Sequence, residues 1–150
     1  MDLAGAAAPG RRAMIGIVIV AHGGLAREYL AAVEHVVGRQ PGVRAIAIEP
    51  EDDRATKQRE ICDAADAVDQ GDGVVVVTDM FGGSPSNLSL RACGPRNRRI
   101  LYGANLPMLI KLAKSRQKSV PDAVAAAMDA GRKYIDSAVV GEDLGRAVGT

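Results

Sequence analysis

Two stretches of the chain are apolar at almost every position and rich in β-branched residues: MIGIVIVA at residues 14–21 and GVVVVT at residues 73–78. A strand with one face in water alternates polar and apolar side chains. These stretches do not alternate, so each reads as a strand buried on both faces. Strands of that kind belong to parallel sheets covered by helices on both sides. VRAIAI at residues 43–48 and RRILYG at residues 98–103 are two further strand candidates.

Helical spacing fills the gaps between them. Leu25, Tyr29, Val33, Val36 and Val37 share one helix face; Ile61, Ala65 and Val68 share another within residues 54–69. Residues 85–92 read as a short helix, and Met108, Leu109 and Leu112 come together within residues 107–114. Ser119-Val120-Pro121-Asp122 has the form of a capping box opening a helix that runs to about Lys133. Residues 134–140 (YIDSAVV) are β-prone again. The predicted fold is therefore α/β, a mainly parallel sheet with helices on both faces. At 150 residues the chain is the size of one domain. Its expected limits are residues 14–140, with residues 1–13 a disordered N-terminal extension and residues 141–150 a flexible tail.

Composition excludes several classes of function. Nineteen basic against 18 acidic residues leave little field for grasping a polyanion, so nucleic acid is a poor partner. With three Tyr, one Phe and no Trp there is little to stack on a base or a flavin. Cys62 and Cys93 form no C-x-x-C and no zinc-ligand pattern, and read as small buried apolar residues in a reducing cytoplasm. No apolar run reaches the roughly 18 residues of a membrane span. Neither a metal nor a cofactor is expected.

Open α/β sheets bind ligands at the carboxyl ends of their strands. His22-Gly23-Gly24 follows the first candidate strand, Asp79-Met80-Phe81-Gly82-Gly83-Ser84-Pro85-Ser86-Asn87 the third, and Ala104-Asn105-Leu106-Pro107 the fourth. If the first and third strands are neighbours, His22 and Asp79 share one rim. A carboxylate accepting one imidazole N–H selects the tautomer and ring angle, leaving the other nitrogen free to act as base or nucleophile. Gly23 and Gly24 let a large partner approach closely. Gly82, Gly83 and Ser84 suit a phosphate cradle: a glycine turn points N–H groups at an anion, and Ser-Pro opens a helix whose first donors are free. Asn87 could add one more donor.

Each residue also has a plainer reading. His22 could be structural, Asp79 could cap a turn, and Gly82-Gly83-Ser84-Pro85 could be a turn and nothing more. Asn105 either completes the rim or caps the next helix. His35 reads as a partly exposed bystander, and Arg96, Arg98 and Arg99 as a solvated basic loop ahead of a strand, or else as a contact for an acidic partner. Rival chemistries lack their residues. No G-x-G-x-x-G follows the first strand, no acidic pair stands there to hold a metal, and Gly82-Gly83-Ser84-Pro85-Ser86 lacks the closing glycine of a serine-hydrolase elbow. His22 is left as the best nucleophile.

Taken together, IVIVAHGGLA, VVVVTDMFGGSPSN and YGANLPML resemble the EIIA domain of the mannose family of the bacterial phosphoenolpyruvate-dependent sugar phosphotransferase system. The likeness covers about residues 14–140. It implies a cytoplasmic phosphoryl carrier in which His22 takes the phosphoryl group from HPr and passes it to an EIIB-type partner, without membrane insertion. It also implies that Asp79 orients His22 and that Ser84 helps hold the phosphoryl group. The family further implies a homodimer in which residues 134–140 form a C-terminal antiparallel edge strand exchanged with the other subunit. Phe81 stands where the enteric mannose type has Trp. A free-standing EIIA is expected, serving either sugar transport or a regulatory relay. Two alternatives are the phosphotransferase subunit of the dihydroxyacetone kinase system, which usually lacks G-G-S-P, and a non-enzymatic ligand-binding module on the same fold.

Overall fold

The computed structural model describes residues 13–80 and 97–141. Four parallel strands form one sheet in the order β2-β1-β3-β4: β1 Gly16–His22, β2 Val43–Ile48, β3 Val74–Thr78 and β4 Arg98–Leu101. Four helices are described: α1 Leu25–Val37, α2 Arg54–Val68, α3 Leu106–Lys114 and α4 Val120–Lys133. The order reverses between β1 and β3, whose register places Val20 opposite Thr78.

The double burial expected of the apolar runs is present, and the strand pleat divides it between two cores. Ile17, Ile19 and Ala21 of β1, with Val75 and Val77 of β3, face α1, α3 and α4. Val18 and Val20, with Val74 and Val76, face Ile61, Ala64, Ala65 and Val68 of α2. The four valines of β3 are at most 3% exposed. Each such side chain stabilises the fold by roughly 1.5–3 kcal/mol before chain entropy is counted. That is why an unbroken valine run can serve here and could not serve on a half-wet sheet.

Local signals set the helix ends. Asp53 accepts the Thr56 N–H to open α2, and Ser119 accepts the Asp122 N–H to open α4, as the capping pattern predicts. Asn105 accepts the Met108 N–H to open α3 and donates its amide to the Gly131 carbonyl at 2.9 Å, so it both caps α3 and ties it to α4. At the opposite end of the sheet, Arg116 is 4% exposed. Its guanidinium donates to the carbonyls of Ile15 (2.7 Å) and Gly42 (3.3 Å) and to Gln40 (3.2 Å). It thereby joins the entries to β1 and β2 to the α3–α4 turn.

One expectation concerned a second subunit and has no counterpart in the single chain; another needs correction. Residues 134–140 form no strand, and the sheet is wholly parallel among the described residues. A β-prone segment becomes a strand only when a ladder partner meets its backbone. In the single chain this one stays outside the sheet, with Ile135 76% and Val140 88% exposed. Arg98 and Arg99 lie on β4, as the strand reading of residues 98–103 expected and the loop reading did not, and of the two only Arg99 is exposed. Arg98 folds back on α2's end, donating to Asp66 at 3.0 Å and Asp69 at 2.9 Å, and its side chain is only 10% exposed. Charges distant in sequence draw it there. His35 is exposed at the end of α1, as expected, and Cys62 is half-buried against the α2 core. The short helix of residues 85–92, Cys93, Arg96 and both chain ends lie outside the described residues. Among the described residues no helix is long and apolar enough to cross a membrane.

Candidate functional site

His22 is the last residue of β1, and Asp79 directly follows β3. Because these strands are neighbours, the two side chains meet at the point where strand order reverses, where open α/β sheets place their ligands. His22 Nδ1 lies 2.9 Å from Asp79 Oδ2, and the same oxygen accepts the His22 backbone N–H at 3.1 Å. A carboxylate can only accept here, so Nδ1 is the nitrogen that carries the proton, and in the neutral form of the ring Nε2 is the one with the lone pair. The imidazole is 48% exposed while the carboxylate is 11% exposed. The ring is thus reachable by a partner and its support is not. Asp79 Oδ1 is buried and meets no donor among the described residues.

The backbone after His22 turns sharply. Gly23 sits at φ +55°, in the left-handed region, and its N–H donates to the Ile48 carbonyl at 3.0 Å. Gly24 then stands at the N-cap of α1 with no side chain to cap it. Among the described residues no side chain caps the start of α1, and the positive end of the helix dipole lies in the chain just after His22. Exposed Leu25 (43%) and Met80 (51%) immediately follow the glycine turn and Asp79 respectively.

Of the site residues expected from sequence, the structure brings together His22, Asp79 and Gly23. Gly82, Gly83, Ser84 and Asn87 lie outside the described residues. Asn105 acts as a helix cap. The sequence reading missed two features. One is the uncapped start of α1, legible in principle from Gly24 at an N-cap. The other is Tyr29, read only as part of a core face. Its hydroxyl donates to the Ala104 carbonyl at 3.2 Å, on the loop between β4 and α3.

Fold and site together define an open parallel α/β protein that offers, at the carboxyl rim of its sheet, an imidazole held by a carboxylate. Residues 16–128 match the family model for the EIIA-man domain, described as the PTS system fructose IIA component. The chain belongs to this family, the mannose-type EIIA phosphoryl-transfer components of the sugar phosphotransferase system. It is 30% identical over 124 residues to the mannose-specific EIIAB component of Escherichia coli K12, covering 81% of this chain and 38% of that protein. The chain thus spans well under half the length of that curated relative. Among solved structures, an EIIA component from Streptococcus agalactiae aligns with a TM-score of 0.74 at 26% identity, over 83% of this chain and 97% of that one. The mannose/sorbose IIA subunit of Enterococcus faecalis shares the fold, with a TM-score of 0.76 at 24% identity over 86% of this chain and 98% of that one.

Proposed function

We propose that this chain is a phosphohistidine carrier, accepting a phosphoryl group on His22 Nε2 from phospho-HPr and passing it to an EIIB-type partner. The observation that carries this reading is the Nδ1 to Asp79 contact of 2.9 Å on a ring that is half exposed. With Nδ1 held, the Nε2 lone pair attacks phosphorus as the P–N bond to the donor's histidine breaks. The donor imidazole leaves with that electron pair. Positive charge develops on the His22 ring and lies against the Asp79 carboxylate. The return step is the same displacement with the EIIB-type nucleophile attacking. Such transfers need little covalent work from the protein; positioning and stabilisation of the equatorial oxygens dominate.

Donors for those oxygens come, in this proposal, from the start of α1 after Gly23 and from Gly82, Gly83, Ser84 and Asn87. The domain is taken as residues 14–140, acting in the cytoplasm. A homodimer is proposed as well. The exposed Ile135, Val139 and Val140 and the position of β4 at the sheet edge support an exchange of residues 134–140 between subunits, since a partner's ladder would cover both.

The test is incubation with phosphoenolpyruvate, Enzyme I and HPr, followed by mass spectrometry of the modified residue. Acid-labile phosphate on His22, lost in His22→Ala, is the expected result. Full labelling of His22→Ala would overturn the assignment.

A further inference from the structure

We propose that Tyr29 is a positioning residue for His22, acting through its hydroxyl. The side chain is half-buried on α1, and its Oη–H donates to the Ala104 carbonyl at 3.2 Å. The Ala104 N–H in turn donates to the Thr78 carbonyl at 2.9 Å. Thr78 is fully buried, and the residue bonded to it is Asp79, which holds His22. His22 leads through Gly23 and Gly24 into α1, which carries Tyr29. The bonds therefore close a circuit: His22 to Asp79, Thr78 to Ala104, Ala104 to Tyr29, and back along α1.

The consequence is geometric. A ring nitrogen keeps one tautomer only while its acceptor stays in place, and Asp79 sits on a loop that the sheet ladder no longer holds. The Ala104 N–H pins the residue before it. Ala104 is itself kept in place on its carbonyl side by Tyr29. Removing the hydroxyl leaves a carbonyl on a nearly buried residue without that donor, and frees the loop after β4 from the helix after β1. The apolar body of Tyr29 packs on the core with or without the hydroxyl, so Tyr29→Phe isolates the bond.

The tautomer of His22 can be read by 15N NMR on the unphosphorylated protein. The wild-type ring is expected to carry its proton on Nδ1. In Tyr29→Phe the ratio of the Nδ1–H to the Nε2–H form should fall about five-fold, as suits the loss of one neutral hydrogen bond. Val33→Ala, which opens the buried core face of the same helix, should leave that ratio unchanged. A wild-type ratio in Tyr29→Phe, or an equal shift in Val33→Ala, overturns the proposal. The rate arm rests on the phosphoryl-carrier reading: Tyr29→Phe should lower kcat of transfer from HPr about five-fold with KM unchanged. A slower rate with an unaltered tautomer also overturns it. If wild-type protein takes no phosphate at all, the carrier reading fails, while the NMR comparison still decides the role of Tyr29.

Discussion

A single oxygen of Asp79 holds both ends of His22, accepting its backbone N–H at 3.1 Å and its ring Nδ1 at 2.9 Å. The first bond anchors the acceptor to the strand that bears the ring; the second sets which nitrogen is left free. Because both fall on Oδ2, a small movement of the Asp79 loop would be felt by the ring at once. This is the feature on which the proposed chemistry depends.

Asp79→Asn keeps the size of the side chain and removes its charge. Folding should be unaffected, because the carboxylate lies at the rim and not in either core. Phosphoryl transfer should fall about 10- to 100-fold, the loss expected for one charge-assisted hydrogen bond of roughly 1.5–3 kcal/mol. Rapid-quench measurement of single-turnover transfer from HPr checks this. An unchanged rate would reduce Asp79 to a turn residue.

Asp69 links stability to pH. Burial pushes its carboxyl upward, but the hydrogen bonds from Arg98 and the Gly71 N–H, with the charge of Arg98, outweigh this and hold it below its ordinary value. The unfolded chain therefore binds a proton at Asp69 more readily than the folded one. Stability from this group is complete above the unfolded value of about 4 and is lost as pH falls through the lower folded value. Asp69→Asn should make the acid limb of the stability curve shallower. Asp53, which the Thr56 side chain and N–H hold low, keeps part of that limb in the variant. Urea unfolding followed between about pH 6 and about pH 2.5 measures the slope directly.

Gly16 opens β1 where the end of α2 crosses it. A Cβ there would press on the Val68 carbonyl and lie 2.6 Å from Val68 Cγ2. Gly16→Ala should destabilise the fold by about 1–3 kcal/mol through overpacking. The urea midpoint should drop with the m-value unchanged, and phosphoryl transfer at low temperature should stay near wild type.

Much of the architecture was legible because its signals are local. An unbroken run such as VVVVT demands apolar cover on both faces wherever it is placed, and this is enough to imply a parallel sheet between helices. Ser119 caps α4 from within its own turn. The proximity of His22 and Asp79 was readable only conditionally, since it required β1 and β3 to be neighbours, and the strand order satisfies that condition.

Other features had no local signal. Arg98 reads as a surface charge until α2 brings Asp66 and Asp69 beside it. Gly16 is only a gap in an apolar run until Val68 packs on it. Residues 134–140 have the composition of a strand, but a strand exists only as a member of a ladder, and among the described residues this segment is not one of the four strands of the sheet. The sequence by itself determined which segments must be buried, where helices begin, and that an imidazole stands at a strand end. Only the tertiary structure decided which oxygen holds that ring, that Tyr29 closes the circuit behind it, and which charges are paired. Burial and capping depend on neighbours a few residues away, whereas these contacts join residues that only the order of strands brings together.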